Sequence, residues 1–348
     1  MARTQLGRGV LLALAAAGLF GATAPLVQRA SARVGSIAAA GLMYLGAGVT
    51  GLLLMTVRGQ RFEPALRGRA LYRLVAVALI GAALAPSLLV LGLKRTDAAT
   101  GSLLLVLEAP LTLLLARVFL REHLSLRVVV AMVLIATGGL VLSFRPAAGA
   151  VVWTGQALIA GATLCWSVEN LLSRGLADND AVGVVAGKGI LGSAAAMMVA
   201  WAADQTGTPL GAALALVGIG CVGYGISLQL YLRAQRLVGA GRTASVFAAA
   251  PFFGAVIALG LGAPWPGPPF AGAAALMAIG VYLHATERHS HPHTHEPVEH
   301  EHEHSHDDGH HLHHHQPMPA GPHSHPHRHE AVTHEHEHSE DIHHRHPH

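Results

Sequence analysis

Charge is what this sequence has least of. Only 12% of its 348 residues are Asp, Glu, Lys or Arg, about half the share in an ordinary soluble domain, which excludes a water-soluble globular enzyme of usual composition. Lysine is almost missing, with two residues among 23 basic ones, and aromatic residues make up 5%. The two cysteines, Cys165 and Cys221, lie in apolar runs. They read as small packing residues and not as a disulfide or metal pair. Phosphate-loop, dinucleotide-binding and hydrolase signatures are absent, so the sequence offers neither an enzyme constellation nor a nucleotide-driven pump.

What is present divides into two chemically different parts. Residues 1–285 hold 20 basic and 8 acidic residues, a net of +12, and residues 286–348 hold 3 Arg and 12 acidic residues, a net of −9. The overall +3 is a cancellation and indicates no nucleic-acid partner. Of the 26 His, 24 fall between His289 and His348.

The first part is built of apolar runs. A bilayer core about 30 Å thick needs about 20 apolar residues per helix. Ten such runs occur, near 9–27, 35–56, 71–92, 98–119, 127–144, 153–173, 182–202, 210–231, 240–261 and 268–285. The first, around Val10–Leu26, is followed by many others and reads as a membrane helix, not a cleaved signal. With the N-terminus placed inside, 14 basic residues fall on inner segments and five on outer loops. That bias predicts both termini in the cytoplasm of a multi-pass protein of the cytoplasmic (inner) membrane.

The two halves of this part are alike. Pro110 and Pro251 are 141 positions apart, and the same offset pairs Ala99 with Ala240 and Gly139 with Gly280. GLFGATAPLVQR (18–29) can be laid beside TLCWSVENLLSR (163–174). Five spans per half is an odd number, so the second copy enters the membrane with the opposite sense, an inverted repeat of the kind found in secondary transporters.

The stretch Asp97–Leu142, DAATGSLLLVLEAPLTLLLARVFLREHLSLRVVVAMVLIATGGLVL, resembles the fourth and fifth helices of the EamA-type family in the drug/metabolite transporter superfamily. It shares a small-residue start, the mid-helix Pro110, an acidic turn at Glu122, and a fifth helix ending on Gly138 and Gly139. The second copy keeps Pro251 and Gly280 but has APWPGPP (Ala263–Pro269) in place of the acidic turn. The resemblance implies an all-α membrane protein with ten transmembrane helices in two inverted five-helix repeats, 1–146 and 147–285. It also implies a secondary transporter of small organic solutes, not an enzyme, with a small-molecule substrate and the lipid bilayer as its partners.

Ionisable residues inside spans are costly and are functional candidates by default. Glu108 sits near the middle of the fourth span, and Glu169 and Lys188 sit at similar depth in the sixth and seventh. They read either as a proton and substrate pathway, with Asn170, Pro110 and Pro251, or as a structural salt bridge plus a Glu lining a wet cavity. Each in-span proline (Pro25, Pro86, Pro110, Pro251) removes a helix hydrogen bond. Such breaks are tolerated where they face a cavity or a partner helix. Trp166, Ser167, Thr23 and Ser87 are further candidates for a cavity wall.

Residues 286–348 alternate His with Glu, Ser, Pro or Arg and have no apolar period, which predicts a disordered cytoplasmic tail. No cofactor is required by the sequence, but neutral imidazoles with nearby carboxylates suit Zn, Ni, Co or Cu. The candidate ligands are His291, His293, His295, His300, His302, His304, His306, His310, His311, His313, His314, His315, His334, His336 and His338. A divalent metal is therefore a candidate partner. Two further functions compete with organic-solute transport: a Zn, Ni or Co exporter that collects metal on the tail, and a membrane-anchored metal sensor or buffer.

Overall fold

The computed structural model describes residues 2–59, 68–120, 124–143, 153–176 and 180–286, and the backbone of 289–295, 299–304, 323–328 and 332–338. The chain divides into two units, Met1–Glu287 and Arg288–His348. In the second, β1 (His289–His295) pairs antiparallel with β4 (Val332–His338), and β2 (Glu299–His304) with β3 (His323–Arg328).

The first unit is helical. Its helices are α1 (Leu6–Ala30), α2 (Ser36–Val57), α3 (Arg69–Leu93), α4 (Ala98–Leu120) and α5 (Leu126–Ser143), then α6 (Thr154–Ser173), α7 (Ala181–Ala202), α8 (Leu210–Val238), α9 (Arg242–Gly260) and α10 (Pro268–Ala285). Among the described residues nine are long and apolar enough to cross a membrane, against the ten expected, and α6 is the one that falls short. Its 20 residues make ~30 Å of helix, enough for a bilayer core. Gln156, Glu169 and Asn170 are what make it polar. Helix α8 runs past its apolar run, carrying Arg233 and Arg236, and stops at Gly239. There φ is 85°, which glycine adopts without steric cost.

The four in-span prolines account for four irregular turns. A proline lacks the N–H that would bond the carbonyl four residues back, and its ring collides with that carbonyl. In α1 a turn at Ala22 precedes Pro25; in α3 a π-helical stretch, Ala78–Leu84, precedes Pro86. In α4 a 3₁₀ turn, Leu105–Leu107, precedes Pro110, and in α9 a turn at Ala248–Ala249 precedes Pro251. The last two lie in counterpart helices, as the repeat predicts. A further π-helical stretch, Cys221–Ile226 in α8, has no proline behind it. It occupies the place in the second half that Ala78–Leu84 occupies in the first.

Packing shows the inversion directly. Along α2 and α7, Gly41 meets Met197, Gly48 meets Ile190 and Gly51 meets Ala186, so these counterparts cross antiparallel. Along α5 and α10, Gly138 meets Ala273 and Met277 while Gly280 meets Ala131 and Ile135, again antiparallel. Helix α1 packs on α8, through Gly9 against Val238 and the Ser227 hydroxyl donating to Ala16 O at 2.9 Å. Exchanging each helix for its counterpart gives α6 on α3, which is also observed, through Gly92 against Ile159 and Arg73 donating to Gly175 O at 3.1 Å. These are small-residue interfaces, in which backbones approach closely where no hydrophobic drive separates protein from lipid. A methyl group added at Gly51 would lie 2.9 Å from Ala186 Cα. Each half's first and third helices thus pack on the other half. The core holds Met43, Leu89, Leu103, Ile135, Ile159 and Met277, fully buried, while Val57, Tyr72, Leu126 and Trp201 are exposed. An exposed apolar surface of this kind suits hydrocarbon and not water.

Candidate functional site

The polar interior is assembled where the halves meet. Glu108 resumes the α-helix directly after the 3₁₀ turn of α4. The Asn170 amide on α6 donates to its Oε1 at 2.9 Å and lies 3.4 Å from Thr112 Oγ1. One turn away, the Ser167 hydroxyl reaches both Glu108 O, at 3.1 Å, and Thr163 O, at 2.8 Å. The pathway residues on α4 and α6 therefore belong to one network, although 62 positions separate Glu108 from Asn170.

Beside it, Lys188 on α7 forms an ion pair with Glu169 on α6, the pairing that their similar depth predicts. Glu169 is only 7% exposed. Burying two charges is costly unless geometry and further contacts compensate. Here Lys188 Nζ also stands 5.5 Å from the centre of the Tyr44 ring, within cation–π range. Behind Glu169, the π-helical stretch of α3 presents Gly81 to the carboxylate, where a side chain would collide with it. Trp166 Nε1 donates to Gly81 O at 3.0 Å and ties α6 to that stretch. π-Helical turns recur at functional sites.

Aromatic residues are few in the chain, and five gather on this side of the unit. Tyr44 and Tyr224 have ring centres 5.2 Å apart, Tyr224 and Phe20 5.6 Å, Phe20 and Phe247 5.4 Å, and Phe247 and Tyr231 5.0 Å. These separations are those of favourable offset and edge-to-face pairs. Tyr44, Tyr224, Phe20 and Thr112 were not singled out from sequence. A tyrosine near the middle of a span, in a chain so poor in aromatics, was the available signal for the first two. Pro110 is buried two residues beyond Glu108, and Pro251 is half-buried in α9. Glu122 lies outside the described residues.

The same two-copy organisation appears when the chain is compared with known proteins. The model of the EamA-like transporter family matches it twice, over residues 7–144 and 153–286. The chain belongs to the EamA-like transporter family. One relative, an uncharacterized transporter of Methanothermobacter thermautotrophicus, is 29% identical over 191 residues, 53% of this chain and 56% of that protein. The alignment thus spans little more than half of the relative's length. One crystal structure is similar in fold, with a TM-score of 0.60 and 22% identity over 79% of this chain and 95% of the other.

The family match and the nine long apolar helices among the described residues give the polar network a membrane-embedded setting. Among the described residues no group of three or more His, Cys, Asp or Glu is placed to hold a metal ion. Of the tail ligands named above, His291, His293 and His295 lie on β1, His300, His302 and His304 on β2, and His334, His336 and His338 on β4. His306, His310, His311, His313, His314 and His315 lie outside the described residues.

Proposed function

We propose that this EamA-like transporter moves a small organic solute across the cytoplasmic membrane by alternating access between its two inverted halves, with Glu108 as the proton carrier. The observation behind this reading is charge balance at the meeting of the halves. Glu169 has Lys188 opposite it, whereas Glu108 is held by the neutral amide of Asn170 and makes no ion pair among the described residues. A carboxylate in a membrane interior whose hydrogen-bond partner is a neutral amide is a natural proton acceptor. Asn170 is exposed, which supports a water path to Glu108. The basic bias of the inner segments supports placing both termini in the cytoplasm. The same reading makes 286–348 a metal-binding appendage for Zn, Ni, Co or Cu and assigns no enzymatic activity to the chain.

The test is flux into proteoliposomes holding the full-length protein under an imposed pH gradient, with amino acids and with Zn, Ni and Co as probes. Glu108→Gln is expected to abolish gradient-driven uptake while its circular dichroism stays unchanged. Undiminished flux that keeps its pH dependence in Glu108→Gln would remove the proton role. Metal flux that disappears when 286–348 is deleted would favour divalent-metal export instead.

A further inference from the structure

At one end of the first unit, between the C-terminal end of α1, the start of α4 and the C-terminal end of α9, lies a cavity of about 300 Å³. It is distinct from the Glu108 network. Pro25, Gln28, Arg29, Asp97, Ala258 and Leu261 are among its walls. Its size is at the lower end of the range for small-molecule sites, about 300–1,000 Å³.

Basic residues outnumber acidic ones here. Arg29, Arg33, Lys94 and Arg95 belong to this end, against Asp97 in the cavity wall and Asp204 beside Gln205, whose Oε1 accepts from Ile37 N. Asp97 caps α4, accepting from Thr100 N at 2.8 Å, so its charge already faces a helix N-terminus. Lys94 donates to Val34 O, and burial lowers its pKa from the ordinary lysine value. The arginines carry the permanent positive charge. Arg29 is exposed and lines the cavity, and its guanidinium donates to Leu261 O, joining the end of α1 to the end of α9. A guanidinium has five donors in a planar fork that matches a carboxylate.

Below the cavity the three helices close on one another. Gly21 of α1 lies against Ala250 and Gly254 of α9, and a side chain at Gly254 would stand 2.7 Å from Gly21 O and 2.9 Å from Ser102 Oγ of α4. Ser102 is 1% exposed. Glu108 lies further along α4, six residues or about 9 Å of helix beyond Ser102.

We propose that this cavity is a binding station for a small carboxylate-bearing solute, anchored by Arg29 and floored by the Gly21–Gly254–Ser102 contact that shuts it off from Glu108. The proposal rests on the transporter reading and adds to it a site and a solute class. A carboxylate that takes the Arg29 fork competes with Leu261 O for it. The bond it displaces is one that holds α1 to α9 directly above the floor. Solute binding thereby favours the arrangement in which the floor opens, as a ligand shifts an equilibrium only through contacts that differ between the states.

The test uses the detergent-purified full chain with Cys165 and Cys221 replaced by Ala and one cysteine introduced, Ala263→Cys at the cavity or Ser102→Cys at its floor. The probes are an anionic thiol reagent, 2-sulfonatoethyl methanethiosulfonate, and a cationic one, 2-(trimethylammonio)ethyl methanethiosulfonate. Both rates are normalised to a free thiol. At low salt Ala263→Cys is expected to prefer the anionic reagent about tenfold, Arg29→Gln to bring the ratio near unity, and Arg29→Lys to preserve most of it. Ser102→Cys is expected to react at least tenfold more slowly than Ala263→Cys, and faster once Arg29→Gln is added. Equal rates for the two reagents, or a preference that survives Arg29→Gln, would overturn the site. A Ser102→Cys as reactive as Ala263→Cys would overturn the floor. Flux without charge preference refutes the station and leaves the transporter reading. Charge preference without flux of any probe refutes the transporter reading and leaves an anion site.

Discussion

At the scale of single residues, the Glu169–Lys188 pair has a testable energetic signature. Removing one partner strands the other as an uncompensated buried charge, which costs roughly 3–5 kcal/mol. Lys188→Ala is therefore expected to lower the thermal midpoint in detergent sharply. Glu169→Gln together with Lys188→Met is expected to recover most of the loss, because no charge is then buried. Losses that simply add would show that the pair is not coupled. The pairing itself was legible in the sequence, since both residues sit at the same depth of neighbouring spans. The bond from Asn170 to Glu108 was not. It requires α4 of one half to face α6 of the other, and no local pattern encodes which helices adjoin. Gly81 was equally silent: its role as the surface against Glu169 exists only because a π-helical turn brings it there.

At the scale of elements, the prolines set the shape of the interior. Pro110 denies Val106 O its helical partner, and the irregular turn Leu105–Leu107 follows from that. Pro110→Ala restores the missing N–H and is expected to raise the thermal midpoint of the protein while slowing solute flux severalfold. A variant that is more stable and equally fast would detach the break in α4 from transport. The sequence marked where the helices would be interrupted, because proline acts locally. It did not mark Cys221–Ile226, where the π-helical stretch lies with no proline nearby. There Gly223 admits Thr23 of α1 and Gly225 admits Thr50 of α2, so the irregularity is a product of packing between halves. The full length of α8 is not legible in the sequence for a related reason: its last turns are polar, and apolar runs do not report helix that has left the apolar zone.

At the scale of the whole molecule, the first unit is two copies woven together and not two domains side by side. Helix α1 needs α8, α3 needs α6, and α2, α4 and α5 each rest on their own counterparts. The expected outcome of separation follows. Residues 1–146 alone and 147–348 alone should be digested readily by protease in detergent, whereas the two co-expressed should form a resistant complex. A first half that resists digestion alone would contradict the interleaved packing. Matching prolines and glycines at a fixed offset made the two copies visible in the sequence. Their antiparallel crossing needed the spatial pairs, Gly41 with Met197 and Gly51 with Ala186.

The weave also bears on how the protein is made. The surfaces of α1 and α3 that meet α8 and α6 include Gly9 and Thr23 on α1 and Gly81 and Gly92 on α3, and during synthesis the second half does not yet exist. At about 5–20 residues per second, α8 emerges roughly 3–19 s after α5, which ends at Ser143. For that interval lipid or the insertion machinery must cover grooves that only a later part of the same chain can fill. A stalled ribosome would leave a membrane-inserted half in which Glu108 lacks the Asn170 amide that meets it in the complete chain.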